Sequence, residues 1–445
     1  MSQFIKESYE RLLIDEDIPG ELYNKYQVKR GLRNEDGTGV LVGLTRISDV
    51  VGYKRTEEGV EPCEGRLYYR GIDVADIVKH AKGRRFVFET VCFLILFGHL
   101  PNRDELDSFK QVLANRYELP EHFLERSILN YPATNLMNRL QQEVLILYNY
   151  DKFNPDSIDP YDTLEKGINL IAKIPVIVCY TYATKIHAFE NKSLIIHQID
   201  PNLSIAEQIL HLLKPDGRFT PKEAEVLDTA LVLHADHGGG NNSTFTNVVI
   251  SSTGTDLFST IAGSIGSLKG PRHGGANLAV RKQMKAVIKR IGLDATDDEI
   301  REIVNKILDK QFNDRSGLVY GIGHAVYTLS DPRSVLLAQK CEEISIEKDR
   351  HDEFLFHKRF GEIAVEEIYK RKGKPVCTNV DFYSGLVYDM LGIPEDLYTL
   401  LFVIGRTVGW IAHNVEEKLY GGRIIRPATK YVGVIQDYKD TKERE

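Results

Sequence analysis

Four short stretches of the chain gather titratable side chains among glycines. Leu268–Asn277 (Leu-Lys-Gly-Pro-Arg-His-Gly-Gly-Ala-Asn) sets His273 in a glycine hinge between two helical patterns. His234–Thr246 crowds His234, Asp236 and His237 with several hydroxyls, and Tyr320–Tyr327 carries Gly321, Ile322, Gly323 and His324, with Arg333 nine residues beyond the histidine. Asn379–Gly385 places Asp381 between Val380 and Phe382. A free carboxylate, with a reference pKa of about 3.9, is a weak base, and partial burial between apolar neighbours strengthens it. A neutral imidazole at a helix N-terminus donates a hydrogen bond to a developing anion, since the dipole disfavours imidazolium there. A second histidine can polarise a carbonyl while a nearby guanidinium clamps a carboxylate.

Together with arginines at 333, 406 and 426, this set fits proton abstraction beside a carbonyl in an anionic substrate. No serine elbow or cysteine–histidine signature accompanies it, so hydrolysis through a covalent intermediate fits less well. Simpler roles stay open at each position. His273 can be a turn histidine, Asp381 a helix cap, and the His234-x-x-His237 pair with Asp236 a metal set, although no third ligand stands at a definable place and nothing resembles HExxH. The lone Gly-x-Gly at 321–323 follows no strand, as a dinucleotide fingerprint requires.

The elements that must position these groups are mostly helical. Leu257, Phe258, Ile261, Ala262, Ile265 and Leu268 predict a helix ended by Gly270-Pro271, and Val280, Met284, Val287, Ile288 and Ile291 predict another ended by Gly292. Further helices are expected at 74–79, 88–97, 104–117, 136–148, 204–213 and 221–233, with Pro175 interrupting an apolar stretch that resumes at 176–186. Val40–Ile47 and Arg66–Arg70 predict a small antiparallel ribbon, and the first 30 residues a short helix and an extended arm. The last long helix, 394–420, is apolar nearly all round, with Phe402, Arg406, Gly409 and His413 on a second face. No acid lies at i±3 or i±4 from Arg406, so its charge calls for a distant carboxylate or an anionic ligand.

The chain has 445 residues, room for two or three domains, and a net charge of 57 minus 64, or -7, which gives no basic excess for nucleic acid or an anionic membrane. Its five scattered cysteines form no CxxC pair, which suits reduced thiols in the cytoplasm rather than a disulfide framework or thiolate metal site. The N-terminus is too polar for a secretory signal and too acidic for a transit peptide. The apolar run 86–97 is too short to span a bilayer.

At these residues the chain resembles the citrate synthase family. The resemblance rests on the loop His234–Ser243, Gly270–Asn277, Gly321–Val326 with Asp331–Arg333, Asn379–Gly385, Arg406–His413 and Arg426–Gly433, all in order, with Tyr69–Asp73 and Phe97–Pro101 nearer the N-terminus. It implies a mainly α, two-domain helical fold with a small N-terminal β-ribbon, assembled as a homodimer. A large domain (1–278 and 385–445) would carry a small domain (279–384) that closes over coenzyme A. It further implies Asp381 as the base toward acetyl-CoA, His273 as donor to the enolate, and His324 as polariser of the oxaloacetate ketone. His237, Arg333 and Arg406 would hold oxaloacetate, with Arg426 supplied by the partner subunit, while Lys374 and the backbone of Gly321, Ile322 and Gly323 would meet coenzyme A. No metal and no cofactor is implied, acetyl-CoA being a substrate, and propionyl-CoA, the substrate of 2-methylcitrate synthase, is the alternative. Arg272 and Ala325 depart from the commoner patterns.

Overall fold

The computed structural model describes residues 3–15, 17–57, 59–152, 154–271, 273–420 and 422–443. Contacts divide the chain into two compact units, Leu44–Ile424 and a second made of Met1–Gly43 with Ile425–Glu445. Both of the expected small-domain boundaries fall inside the larger unit. The smaller unit holds the helices Gln3–Asp15 and Glu21–Lys25, a 3-10 turn at Arg30–Leu32, and an isolated bridge between Arg33 and Gly39.

In the larger unit, helices dominate and the sheet is one antiparallel ribbon: β1 (Ser48–Thr56), β2 (Gly59–Tyr69) and the two-residue β3 (Ile72–Asp73), in that order. β1 pairs with β2 from Ser48↔Tyr69 to Thr56↔Gly59, with a bulge between Val51 and Tyr53. The first strand is therefore not Val40–Ile47. Leu41 and Leu44 are 85% and 92% exposed. β-branched composition predicted a strand there, but a strand needs a partner strand, and among the described residues Val40–Ile47 pairs with none and buries only Ile47 fully.

The helix expected to break at Pro175 runs unbroken over 31 residues, Pro160–Glu190. Proline forfeits a backbone bond and costs about 3 kcal/mol in a helix interior. Here residues 167–184 are almost all buried, and the helix packs against the central helix, Tyr398–Leu419, so tertiary burial overrides the local penalty. It is long and apolar enough to span a bilayer, yet most of that surface lies inside the protein. The central helix starts later than expected. Pro394 precedes a 3-10 turn (Glu395–Leu397), and α-helical structure begins at Tyr398; of the two glycines expected to end it, Gly421 lies outside the described residues.

The central helix is buried from Tyr398 to Asn414 except at Thr399. Two glycines on it let neighbouring backbone come close: a Cβ at Gly405 would stand 2.8 Å from His234 Cβ, and one at Gly409 would stand 2.5 Å from Ala235 O. The helix thus lies directly against the start of the His234–Ser243 loop.

Candidate active site

The second face of the central helix organises the site. Phe402 stacks on His234 (ring centroids 4.4 Å) and meets His273 edge-on (6.1 Å). One turn on, Arg406 Nε donates to His234 O at 2.7 Å, and its guanidinium lies 4.9 Å over the Phe402 ring. His413 Nε2 bonds Asp236 at 3.1 Å. Residues four, seven and eleven apart on one helix thereby contact a single loop, because helical side chains at those spacings share a face.

Arg406 is 1% exposed, and its Nη2 has no partner among the described residues. Burial pulls its pKa down to about 10, against the attraction of Asp236. Of the two ways to satisfy this arginine, no carboxylate among the described residues forms an ion pair with it. Arg333 differs. Asp331 takes its Nε at 3.0 Å and its Nη2 at 2.7 Å, and although burial works against the charge, Asp331 outweighs it and raises the pKa.

His324 lies beside Arg333, with Nε2 3.4 Å from Arg333 Nη2. Its Nδ1 accepts the backbone N–H of Val326 (3.0 Å) and of Tyr327 (3.1 Å). An Nδ1 that accepts cannot carry the ring proton, so the neutral ring is protonated on Nε2. His237 sits edge-on to His324 at 5.1 Å, and its buried Nε2 has no partner among the described residues. Burial, then the charges of Arg333 and Arg406, hold His237 well below the usual histidine range.

Asp381 follows the cap of its helix instead of forming it. Asn379 Oδ1 accepts the Asp381 N–H at 3.0 Å, which excludes the capping role. Asp381 Oδ1 is buried without a partner among the described residues, and burial raises the carboxyl pKa to about 7 despite the nearby Arg333. Gly321–Gly323 is laced to the segment that enters this helix: Ile322 bridges Thr378, Gly323 N donates to Cys377 O at 2.8 Å, and Asn379 N donates to Gly321 O at 2.9 Å. Gly321 adopts φ +78, where an added Cβ would stand 2.9 Å from Phe382 Cα.

His273 lies two residues before the cap of the helix Ala276–Ile291, Gly275. Its pKa falls to about 4 through burial first and then the charges of Arg406 and Arg333, so its neutrality comes from these rather than from the helix dipole alone. Its Nε2 lies 3.0 Å from Ser243 Oγ, which also receives Trp410 Nε1–H at 3.2 Å and donates to Asn241 Oδ1 at 3.0 Å. Arg272 lies outside the described residues.

Mutual electrostatic influence ties His237, His273, His324, Arg333, Asp381 and Arg406 into one cluster. Of the set that offered a metal site, His234 bonds Tyr388 Oη at 3.1 Å, and Asp236 is held by His413, Ser48 and Gly238 N. Lys374 is exposed after the helix His351–Lys372. Arg426 is exposed and belongs to the smaller unit. Sequence reasoning missed Asp331, Ser243, Trp410 and Tyr327 as supporting residues. Asp331 was legible in principle, since aspartate two residues before arginine at a helix start both caps the helix and pairs with the arginine.

A helical fold that gathers a carboxyl group of raised pKa, neutral histidines and two buried guanidinium groups is suited to forming an enolate and adding it to a ketone in a dianionic acid. The family description "Citrate synthase, C-terminal domain" matches residues 34–428. The citrate synthase of Haloferax volcanii is 35% identical over 413 residues, covering 92% of this chain and 96% of that protein. The 2-methylcitrate synthase of Shewanella oneidensis is 33% identical, covering 83% and 89%. The structure of the ternary complex of carboxymethyl coenzyme A and oxaloacetate with citrate synthase from Thermoplasma acidophilum aligns with a TM-score of 0.77 at 26% identity, covering 94% and 99%. The chain belongs to the citrate synthase family.

Proposed function

We propose that this protein condenses acetyl-CoA with oxaloacetate and water to give citrate and CoA. The observation that carries the proposal is that Arg333 and Arg406 act both on Asp381, a carboxyl made basic by burial, and on His273, an imidazole kept neutral by burial and these arginines. The Asp381 carboxylate removes a methyl proton of the thioester, and a hydrogen bond from His273 stabilises the enolate oxygen as it forms. The enolate carbon attacks the ketone carbon of oxaloacetate, whose oxygen takes up charge against the Nε2–H of His324. His237, Arg333 and Arg406 hold the two carboxylates, each charge-assisted bond contributing about 1.5–3 kcal/mol. Water then cleaves the citryl-CoA thioester, releasing CoA as a thiol. None of these steps calls on a metal or redox cofactor.

Lys374 and the backbone of Gly321–Gly323 are proposed to meet coenzyme A, and residues 279–384 to close over it, excluding water until condensation is complete. The protein is proposed to act in the cytoplasm as a homodimer, each site receiving Arg426 from the partner subunit. Propionyl-CoA is the second reading, favoured by the likeness to the Shewanella enzyme. Purified protein given oxaloacetate and acetyl-CoA should release free thiol, and silence with both thioesters would refute the activity. Relative kcat/KM separates the two readings, one methylene being worth about 1–3 kcal/mol in a pocket. Sedimentation of the 50.6 kDa chain as a monomer would refute the dimer and the shared arginine.

A further inference from the structure

We infer that the β1–β2 ribbon fixes the separation of the two histidine loops, with Ser48, Gly52, Gly65 and Ser330 as positioning residues for the oxaloacetate pocket. The inference rests on the function proposed above. No residue of the ribbon is among the groups assigned to substrate, yet the ribbon touches both loops.

Its contacts fall into two sets. Toward the His237 loop, Ser48 Oγ bonds the Asp236 carboxylate and accepts Gly238 N–H at 3.0 Å, and Tyr69 Oη donates to Val232 O at 2.9 Å. A Cβ at Gly238 would stand 3.3 Å from Val50 Cγ2, so strand and loop lie in close contact. Toward the His324 loop, Gly52 sits in the bulge, where a Cβ would stand 2.5 Å from Val326 O and 2.9 Å from its carbonyl carbon. At Gly65 a Cβ would overlap Ser330 O and stand 2.8 Å from Tyr327 Cδ1. Gly65 N donates to Ser330 Oγ at 3.0 Å, the Ser330 hydroxyl bonds the Glu64 carboxylate, and Tyr327 Oη donates to Arg66 O at 3.1 Å.

Tyr327 transmits this placement to the histidine. Its backbone N–H bonds His324 Nδ1, and its ring stacks on the imidazole with centroids 4.8 Å apart. Ser330 likewise immediately precedes Asp331, which holds Arg333. The two glycines are required because the loop backbone occupies the space a side chain would take. The serines set the register. Two loops that must present histidines 5.1 Å apart to one small molecule are therefore braced by a single rigid ribbon.

The test uses the full-length enzyme with Gly65→Ala, Ser330→Ala and, as a control at the exposed far end of β2, Val60→Ala. Gly65→Ala is expected to lower kcat/KM for oxaloacetate on the order of 100-fold, the effect of a displacement near 1 Å. Ser330→Ala, which removes hydrogen bonds without a clash, is expected to raise the oxaloacetate KM about two- to tenfold. The KM for acetyl-CoA should stay within about twofold in both, and Val60→Ala should match wild type, a split that general destabilisation would not produce. Wild-type oxaloacetate kinetics in folded Gly65→Ala, or a parallel rise in both KM values, overturns the inference. If Gly65→Ala does not fold, Ser330→Ala decides by the same criterion. If the wild-type protein releases no thiol, the proposed activity fails separately. Calorimetric titration with oxaloacetate alone then decides: weaker binding to Ser330→Ala supports the brace, equal binding overturns it, and no binding to wild type refutes both proposals.

Discussion

Replacing Asp381 with asparagine should remove turnover and at the same time make the protein relatively more stable as pH rises. The folded carboxyl has a pKa of about 7 against an ordinary value of 3.8, chiefly because burial penalises its charged form. Between those two values the folded state keeps a proton that the unfolded chain has released, so stability falls with rising pH across that window and levels off above about pH 7. At 1.36 kcal/mol per unit, the two units from pH 5 to pH 7 amount to about 3 kcal/mol. Asparagine has the same shape and does not titrate. Whatever its buried amide costs is independent of pH and cancels when the variant's difference from wild type is compared at pH 5 and pH 8. That difference should shift in the variant's favour by about 3 kcal/mol, measured by denaturant unfolding followed through Trp410, the single tryptophan, which is fully buried. In parallel, wild-type kcat/KM should fall about tenfold per unit below pH 7, since only the carboxylate acts as base. A stability difference that is flat with pH, or an activity profile that breaks near pH 4, would refute the raised basicity and with it the proposed role.

Two further outcomes follow from the arginine and histidine geometry. Arg406→Gln should weaken oxaloacetate binding about 10- to 150-fold, the loss of one charge-assisted interaction. It should not destabilise the free protein, because burial already lowers this guanidinium from 12.5 to about 10, a cost of about 3 kcal/mol for keeping the charge; unchanged binding by calorimetry would contradict the assignment. Ser243→Ala should lower kcat and raise the KM for acetyl-CoA while sparing oxaloacetate binding, by freeing His273 from the hydroxyl that orients it. Nitrogen NMR should show the His273 ring neutral down to about pH 5, given a pKa near 4. Titration near the reference value of about 6.5 would show that neither burial nor the arginines suppress its charge.

Much of the helical scaffold was legible locally. Apolar spacing located Leu136–Tyr148 to the residue, and Ser204, Pro221 and Gly292 stand at the helix ends where the sequence placed them. The ribbon was expected in the right region but on the wrong first strand, since composition cannot say which of two β-prone segments finds a partner. Pro175 misled for a related reason. The penalty for proline is local, whereas the burial that outweighs it comes from helices far away in sequence.

The candidate site divides in the same way. The types and spacing of His273, His324, Asp381, Arg333 and Arg406 pointed to proton abstraction beside a carbonyl, because reactive groups in glycine-rich loops and an arginine with no local acid on an apolar helix are visible without a fold, while the role of each residue came from the family resemblance. What only the tertiary structure decided is the state and support of each group. Burial in the assembled core raises Asp381 and lowers His273, Arg333 is matched by Asp331 while Arg406 keeps a nitrogen without a partner among the described residues, and β1 and β2 touch both histidine loops. Solvation and long-range packing are sums over atoms distant in sequence, so a linear pattern records which groups can react but not the environment that makes them do so.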